Sequence, residues 1–414
     1  MKLKYILSIL LLWAGMTKSF SQLYDVTPGE ITICASSPIP DGITASKQAY
    51  IDLINCGFNS GMAQGSVDYF KQQFELIGNL DFKYLIQSGD LFTEKRSIYV
   101  KAFQDEKHFG GLKFKDEPKF SDLDELQVQD SKMMNAAPKN LIYMNLVGVL
   151  EKTFTGNLTN FYDYLELLQD KFAPEVWSYD YYPILTKNGK LIIEYDQFYS
   201  DLEDFSTISQ KTGRPFWAYC ESMAYKTKTY SRPAATEAYL RWEAFSALAY
   251  GAQGIVYWTY GQRKSNAVED YTSALVNLNG KKSKAWYAAK KVNGEIKKYN
   301  DIFYQCKVKE VRHTGDRIYK GTRKLSGAFG PLQMVRSQEA GVMVSMIENN
   351  GKEYIMVVSR DVLKKQKVTL ELVPNMNITD LTTATPTHYS WRKDINFTLS
   401  AGGYKIFEVD SPNQ

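Results

Sequence analysis

Two glutamates stand at the ends of two strand-like runs that lie far apart in the chain. Glu117 ends the run that begins at Leu112, and Glu221 ends the run that begins at Phe216. Both runs have the pattern of a buried β-strand. Hydrolysis of a glycosidic bond needs two facing carboxyl groups, one to protonate the leaving oxygen and one to attack or stabilise the anomeric carbon. The two glutamates could do this chemistry if the fold brings both strand ends to one cleft.

The elements around these glutamates predict how they are positioned. Helical patterns alternate with strand-like runs over about 270 residues, a length typical of a (β/α)₈ barrel. No glycine-rich dinucleotide turn follows the first strand, which disfavours an open doubly wound sheet. The fold class is therefore an α/β (β/α)₈ TIM barrel, and Glu117 and Glu221 follow its fourth and seventh strands. The eight runs begin near Ile31, Phe58, Tyr84, Leu112, Leu141, Val176, Phe216 and Gly254.

The last quarter of the chain has a different pattern. From about Lys307 the helical patterns stop and short alternating strands follow, with a hairpin turn at 349–351 and a final strand over 404–409. This pattern predicts a small C-terminal antiparallel β-sandwich. The predicted domains are a signal peptide over 1–21, a catalytic barrel over 23–305 and an accessory sandwich over 306–414.

The N-terminus has the features of a cleavable secretory signal. Lys2 and Lys4 precede the apolar run 5–16, and the small-residue pattern Ser19-Phe20-Ser21 follows. Its removal takes three of the 50 basic residues and leaves all 46 acids, so the formal net charge falls from +4 to +1. That balance gives no electrostatic case for nucleic acid or an anionic membrane as partner. We expect a periplasmic or secreted protein without a membrane span; the oligomeric state stays open.

A carbohydrate site combines polar side chains that bind hydroxyl groups with aromatic rings that pack on the apolar faces of the sugar. Active sites of such barrels lie at the C-terminal ends of the strands. The residues found there include candidates for substrate contacts, although Asp90 is equally suited to capping the helix that follows it. The candidates are Asp90, Asp116, Asn145, Tyr181, Trp258 and Tyr260.

The stretch Trp177-Ser178-Tyr179-Asp180-Tyr181-Tyr182-Pro183 is similar to the strand-six region of family 42 β-galactosidase-like enzymes. Glutamates after strands four and seven also resemble the clan A glycoside hydrolases. The resemblance implies that Glu117 is the acid/base and Glu221 the nucleophile of a retaining double displacement on a β-glycoside, with a β-galactoside as the favoured substrate. It further implies that Trp258 forms the floor of a sugar subsite and that Tyr181, or else Tyr179 or Tyr182, steadies the nucleophile. It calls for no metal or organic cofactor.

Asp116 departs from the clan pattern, which has asparagine immediately before the acid/base. An ionised aspartate accepts a hydrogen bond from a sugar hydroxyl but cannot donate one. Its charge beside Glu117 would also raise the pKa of that carboxyl, which suits a general acid. Asp116 is thus a substrate contact, a modulator of the acid, or the mark of an unusual substrate.

Other kinds of catalysis have weaker support. The three histidines are His108, His313 and His388, and two of them fall in the predicted sandwich, which disfavours a metal-dependent hydrolase. No histidine stands at a strand tip to activate a serine or cysteine. Two alternatives stay open. One is a carbohydrate-binding protein that has lost turnover, and the other is an inverting enzyme with carboxyl groups about 6.5–9.5 Å apart.

Overall fold

The computed structural model describes residues 25–137 and 140–410, so the predicted signal peptide lies outside the described residues. Eight parallel strands form a closed barrel, as the sequence predicts. The seventh and eighth barrel strands, β9 and β12, come after intervening short strands. The barrel strands are β1 (Thr32–Ser36), β2 (Ser60–Gln64), β3 (Lys83–Gln87), β4 (Phe109–Asp116), β5 (Ile142–Val147), β6 (Trp177–Asp180), β9 (Phe216–Glu221) and β12 (Gly254–Trp258).

Helices follow the barrel strands, and several begin where a side chain accepts the N–H of the first turn. Ser46 and Ser66 do so with their hydroxyl groups, which satisfies donors that a helix start would otherwise leave unpaired. The helices are α1 (Lys47–Asn55), α2 (Val67–Ile77), α3 (Arg96–Phe103), α4 (Leu123–Ala136), α5 (Lys152–Thr155), α6 (Phe161–Phe172), α7 (Tyr195–Thr212), α8 (Glu237–Ala249), α9 (Lys284–Lys298) and α10 (Asn300–Phe303), with single 3₁₀ turns at Gly89–Phe92 and Phe120–Asp122. Within the described ranges, none of these helices is both long and apolar enough to cross a membrane.

A second sheet stands at the C-terminal end of the barrel, and the sequence analysis did not predict it. It is built from segments that follow barrel strands six, seven and eight, joined in the order β13-β10-β11-β7-β8. We call this five-stranded antiparallel sheet the cap sheet. Its strands are β7 (Ile184–Lys187), β8 (Lys190–Ile193), β10 (Ala224–Lys226), β11 (Ser231–Arg232) and β13 (Asp270–Ser273).

The C-terminal region is an antiparallel β-sandwich, in agreement with the sequence. One sheet has the order β14-β16-β17-β22-β19-β20 and the other the order β15-β18-β21. Buried apolar side chains such as Val344, Ile355, Leu370 and Phe407 fill the space between them. The strands are β14 (Lys307–His313), β15 (Leu332–Ser337), β16 (Val342–Asn349), β17 (Lys352–Ser359), β18 (Gln366–Leu372), β19 (Asn377–Asp380), β20 (Thr387–Ser390), β21 (Ile395–Leu399) and β22 (Tyr404–Val409).

Helix α8 joins the two domains. Its residues 240–249 are all buried, because one face packs on the barrel and another on the sandwich. The ring of Phe245 stacks on Tyr404 of the sandwich at 3.8 Å between centroids and 11° between planes. The Ser345 hydroxyl donates to the Ala249 carbonyl at 2.6 Å. The sandwich therefore braces the helix that stands behind the seventh barrel strand.

This packing predicts the effect of two truncations. Phe245→Ala removes a fully buried ring from the joint between the domains and should destabilise the protein by about 3–5 kcal/mol. Tyr287→Ala, on the neighbouring helix α9, removes a ring that is 62% exposed and should change stability by less than about 0.5 kcal/mol. Urea unfolding followed by fluorescence measures both, and equal losses would contradict the bracing role.

Candidate active site

A polar cleft of about 610 Å³ opens at the C-terminal end of the barrel. Its lining includes residues at the tips of most barrel strands, among them Ser36, Gln64, Glu117, Asn145 and Asp180. The cap sheet contributes Tyr225 and Arg232 to the same cleft. The concave, polar surface has the size of a small-ligand site and the hydroxyl-binding groups that a sugar needs.

Glu117 follows strand β4 in a backbone conformation that a non-glycine residue seldom adopts. Its φ is 44°, in the left-handed region, and its N–H donates to the Asn145 carbonyl at 2.9 Å. The carboxyl group faces the cleft. Backbone strain of this kind concentrates at functional sites, where surrounding contacts hold it in place.

Asn145 holds two carboxylates beside Glu117. Its amide nitrogen donates to Asp116 at 3.2 Å and to Asp180 at 2.6 Å, while its own oxygen accepts from the Ser178 hydroxyl at 2.9 Å. The ammonium group of Lys113, which is buried inside the barrel, pairs with Asp116 at 3.0 Å. The predicted site residue Asn145 is therefore the fixed centre of a polar network, with its side chain almost wholly buried.

This network raises the pKa of two of its carboxyl groups. Burial within the cleft wall and the charge of Asp116 raise the pKa of Glu117, against the opposing effects of a hydrogen bond with Asp180 and the charge of Lys113. Burial, followed by the charges of Glu117 and Asp116, raises the pKa of Asp180 well above its usual range. Ionising both members of a close carboxyl pair is unfavourable, so the pair holds its first proton more tightly than an isolated carboxyl group does. Such a pair can supply a general acid.

Glu221 ends strand β9 and is only 6% exposed. Its N–H donates to the carboxyl group of Glu243 at 3.1 Å, and its Oε1 lies 3.6 Å from Nε of Arg232. Burial and the Glu243 carboxyl raise the pKa of Glu221 well above its usual range, whereas Arg232 lowers it. Glu221 is thus a shielded carboxyl between one cation and a second acid.

Glu243 supports Glu221 from behind. It lies on helix α8, is 3% exposed, and accepts the N–H bond described above. Burial raises its pKa from 4.5 to about 8, although the hydrogen bond from Glu221 and the charge of Arg232 oppose the shift. Glu243 is therefore mostly neutral near pH 7.

Aromatic rings form one wall of the cleft. Trp258, at the end of strand β12, stacks on Tyr182 with centroids 5.4 Å apart and an angle of 29°. Tyr225 of the cap sheet meets the same indole edge-on at 5.7 Å. All three residues line the cleft, so Trp258 stands where the sequence predicted it. A wall of this type offers apolar faces to the C–H groups of a sugar.

Three predicted site residues have other partners. Tyr181 lines the cleft, but its hydroxyl donates to Glu194 at 2.8 Å and so does not steady Glu221. Tyr260 packs in the core against Phe58, where its hydroxyl accepts a hydrogen bond from the Trp286 indole N–H at 3.1 Å. Asp90 lies outside the cleft lining, on a 3₁₀ turn.

Asp90 is partly exposed there and pairs with Lys95 at 3.6 Å. Of the two sequence interpretations for Asp90, the structure offers neither a substrate contact nor a side-chain cap, since the turn is capped by the Ser88 hydroxyl at 3.3 Å. Tyr182, rather than Tyr181, is the strand-six tyrosine whose hydroxyl experiences the charge of Glu221.

Four residues of the site were not selected from the sequence. Asp180 stood at a strand tip, which was a usable signal. Lys113 and Glu243 are charged residues within otherwise apolar segments, and that contrast could have identified them. Arg232 had no such signal, because it reaches the cleft only through the cap sheet, whose strands are far apart in the sequence.

The raised pKa of Glu243 predicts how stability depends on pH. In the unfolded chain Glu243 ionises near its usual value of 4.5, but the folded protein keeps it protonated to about pH 8. Its contribution to stability is therefore complete below pH 4.5 and is lost as the pH rises to 8, by about 1.4 kcal/mol per pH unit at most. Glu243→Gln should gain stability relative to wild type over this window and no further above it. Thermal unfolding at pH 5, 7 and 9 checks this, and a constant difference would contradict the buried acid.

Comparisons with known proteins agree with this architecture. The family model of glycoside hydrolase family 42, described as β-galactosidase, matches residues 123–299. The match includes Glu221 and begins just after Glu117. No curated protein matches the sequence.

Solved structures show the same fold. A β-galactosidase from Bacillus circulans sp. alkalophilus has a TM-score of 0.62 at 9% identity, covering 94% of this chain and 100% of its own. A catalytic mutant of Gan42B, a family 42 β-galactosidase from G. stearothermophilus, has a TM-score of 0.61 at 9% identity, covering 92% of this chain and 98% of its own. A putative α-galactosidase from Bacteroides fragilis has a TM-score of 0.53 at 11% identity, covering 92% of this chain and 80% of its own.

The structural likenesses establish the shared barrel and sandwich. Over residues 123–299 the chain is similar to the β-galactosidases of glycoside hydrolase family 42.

Proposed function

We propose that the protein cleaves β-galactosides by a retaining double displacement, with Glu117 as acid/base and Glu221 as nucleophile. The family match supports the substrate class, and the names of the structural relatives agree with it. The observation that carries the mechanism is the placement of two carboxyl groups at the ends of strands four and seven. One of them must start protonated to act as the acid, and the other must be ionised to act as the nucleophile. One shares a proton with neighbouring acids, and the other faces an arginine.

In the first step, Glu117 transfers its proton to the glycosidic oxygen as the bond from that oxygen to the anomeric carbon breaks. The carboxylate of Glu221 forms a bond to the same carbon, so the leaving alcohol departs neutral and a glycosyl ester remains on Glu221. The charge of Asp116 and the cleft walls favour the protonated form of Glu117 that this step requires.

In the second step, Glu117 is a carboxylate and removes a proton from water. The water oxygen bonds to the anomeric carbon as the ester bond to Glu221 breaks, which regenerates both side chains. Two displacements at one carbon restore the original configuration. The stacked pair Trp258 and Tyr182 would support the sugar ring during both steps.

The N-terminal pattern adds a proposal about location. A signal sequence of the kind described over residues 1–21 would deliver the enzyme to the periplasm or the outside of the cell. Its substrate would then be an extracellular or periplasmic galactoside.

The roles of the two glutamates predict different losses. Glu221→Gln should reduce hydrolysis of every aryl β-galactoside by at least about 10³-fold, because no nucleophile remains. Glu117→Gln should reduce kcat/KM by about 10²–10⁴-fold for a 4-methylphenyl leaving group. The same substitution should reduce kcat/KM far less for a 2,4-dinitrophenyl leaving group, because that phenolate leaves without needing a proton. Glu166→Gln, a partly exposed glutamate on α6, is the matched control and should remain fully active.

Equal losses for both leaving groups in Glu117→Gln would contradict its role as the acid. Product configuration, followed by proton NMR in the first minutes of hydrolysis, separates retention from inversion. Binding of galactosides without turnover by the wild-type protein would instead favour the carbohydrate-binding alternative.

Asp116 predicts a change in the pH profile. Asp116→Asn restores the residue common in the clan and removes the negative charge that raises the pKa of Glu117. It also frees the positive charge of Lys113, which lowers that pKa further. The alkaline limb of the profile of kcat/KM should therefore move to lower pH. A limb that stays in place or moves upward would show that Asp116 does not tune the acid.

A further inference from the structure

We propose that Arg232 is a positioning residue whose guanidinium, fixed by the cap sheet, orients the Glu221 carboxyl group and favours its ionised, attacking form. This inference rests on the proposed role of Glu221 as nucleophile and assigns a function to the cap sheet. It concerns a residue in a two-residue strand that follows the seventh barrel strand, and nothing in the sequence pattern singles that residue out.

The cap sheet fixes the arginine from the far side. Nη1 of Arg232 donates to the backbone carbonyl of Tyr182 and to that of Ile184, the latter at 3.1 Å. The guanidinium also lies 5.3 Å from the centre of the Tyr230 ring. The side chain is only 12% exposed. These hydrogen bonds use Nη1 and leave the buried Nε without a hydrogen-bond partner among the described residues.

Arg232 also interacts with the side chains of Tyr225 and Glu221. Nε lies 3.6 Å from Oε1, and both atoms are buried with no hydrogen-bond partner among the described residues. Two buried polar atoms of opposite charge, each lacking another partner, are costly unless they compensate each other. The geometry therefore pairs the arginine with the carboxylate rather than with a distant surface acid.

The groups that surround Glu221 explain why such a cation is needed. Glu243 approaches from α8, Tyr182 from the segment after β6, and Tyr225 from β10. Glu243 is itself an acid. The two tyrosines retain their protons because burial and the charge of Glu221 raise the pKa of each. Of the described charged groups that shift the pKa of Glu221, Arg232 carries the positive charge and Glu243 is the acid. Removing Arg232 would take away the charge that lowers the pKa of Glu221 and would favour the protonated, non-nucleophilic form further.

The test measures the titration of Glu221 with and without the cation. Protein labelled with ¹³C at glutamate carboxyl groups is titrated by NMR, and the Glu221 signal is assigned by its loss in Glu221→Gln. Arg232→Gln should raise the pKa of Glu221 by about 1–3 units, the usual effect of one close opposite charge. Arg232→Lys keeps the charge and should raise it less. Lys226→Gln removes an exposed charge from the neighbouring strand β10 and should leave it unchanged.

The pH profile of aryl β-galactoside hydrolysis gives the second readout. In Arg232→Gln the acid limb of kcat/KM should move to higher pH by the same amount, with partial recovery in Arg232→Lys. A purely structural role would lower activity at all pH values without moving the limb, and that result would overturn the proposal.

The NMR titration needs no turnover, so it separates two failures. If the wild-type protein hydrolyses no galactoside but the Glu221 signal still shifts in Arg232→Gln, the substrate proposal fails and the pairing stands. If Arg232→Gln does not fold, Arg232→Lys decides: an unchanged titration combined with a large, pH-independent loss of activity would overturn the role assigned to Arg232.

Discussion

The contact between Arg232 and Glu221 is the interaction on which the site depends. A carboxylate loses most of its hydration when the protein buries it, and Glu221, at the end of a barrel strand, is only 6% exposed. Glu243, which lies behind Glu221, is a second acid and raises the pKa of Glu221 further. One guanidinium at 3.6 Å provides the compensating charge, and the cap sheet supplies it. The extra sheet is thus part of the active site as well as its cover.

The opposite arrangement holds across the cleft. Asp116, Glu117 and Asp180 are brought together by Asn145, and Lys113 neutralises only part of their charge. Burial and the crowding of acids raise the pKa of Glu117 and Asp180, whereas the arginine opposes the rise in the pKa of Glu221. Two glutamates in similar strand-end positions can therefore take different roles, because the environment of each sets its protonation state.

Much of this could be predicted from the sequence, and the rest could not for physical reasons. The barrel follows from regular strand and helix alternation, and both glutamates follow from their position after buried runs. Tyr260 was misplaced because an aromatic residue after a strand can turn into the core as readily as into the cleft, and here the Trp286 indole holds it there. Arg232 could not be found because its position depends on a sheet assembled from three separate loops. The hydroxyl of Tyr181 donates a hydrogen bond to Glu194, and the two residues become adjacent only once the hairpin of β7 and β8 folds.

In the proposed mechanism Glu221 forms a covalent bond with the sugar. Incubation with 2,4-dinitrophenyl 2-deoxy-2-fluoro-β-galactoside, followed by proteolysis and mass spectrometry, detects that bond directly. One added fluorosugar per chain is expected on the peptide that carries Glu221, and none in Glu221→Gln. A label on any other residue, or steady hydrolysis of the reagent with inversion and no label, would contradict it.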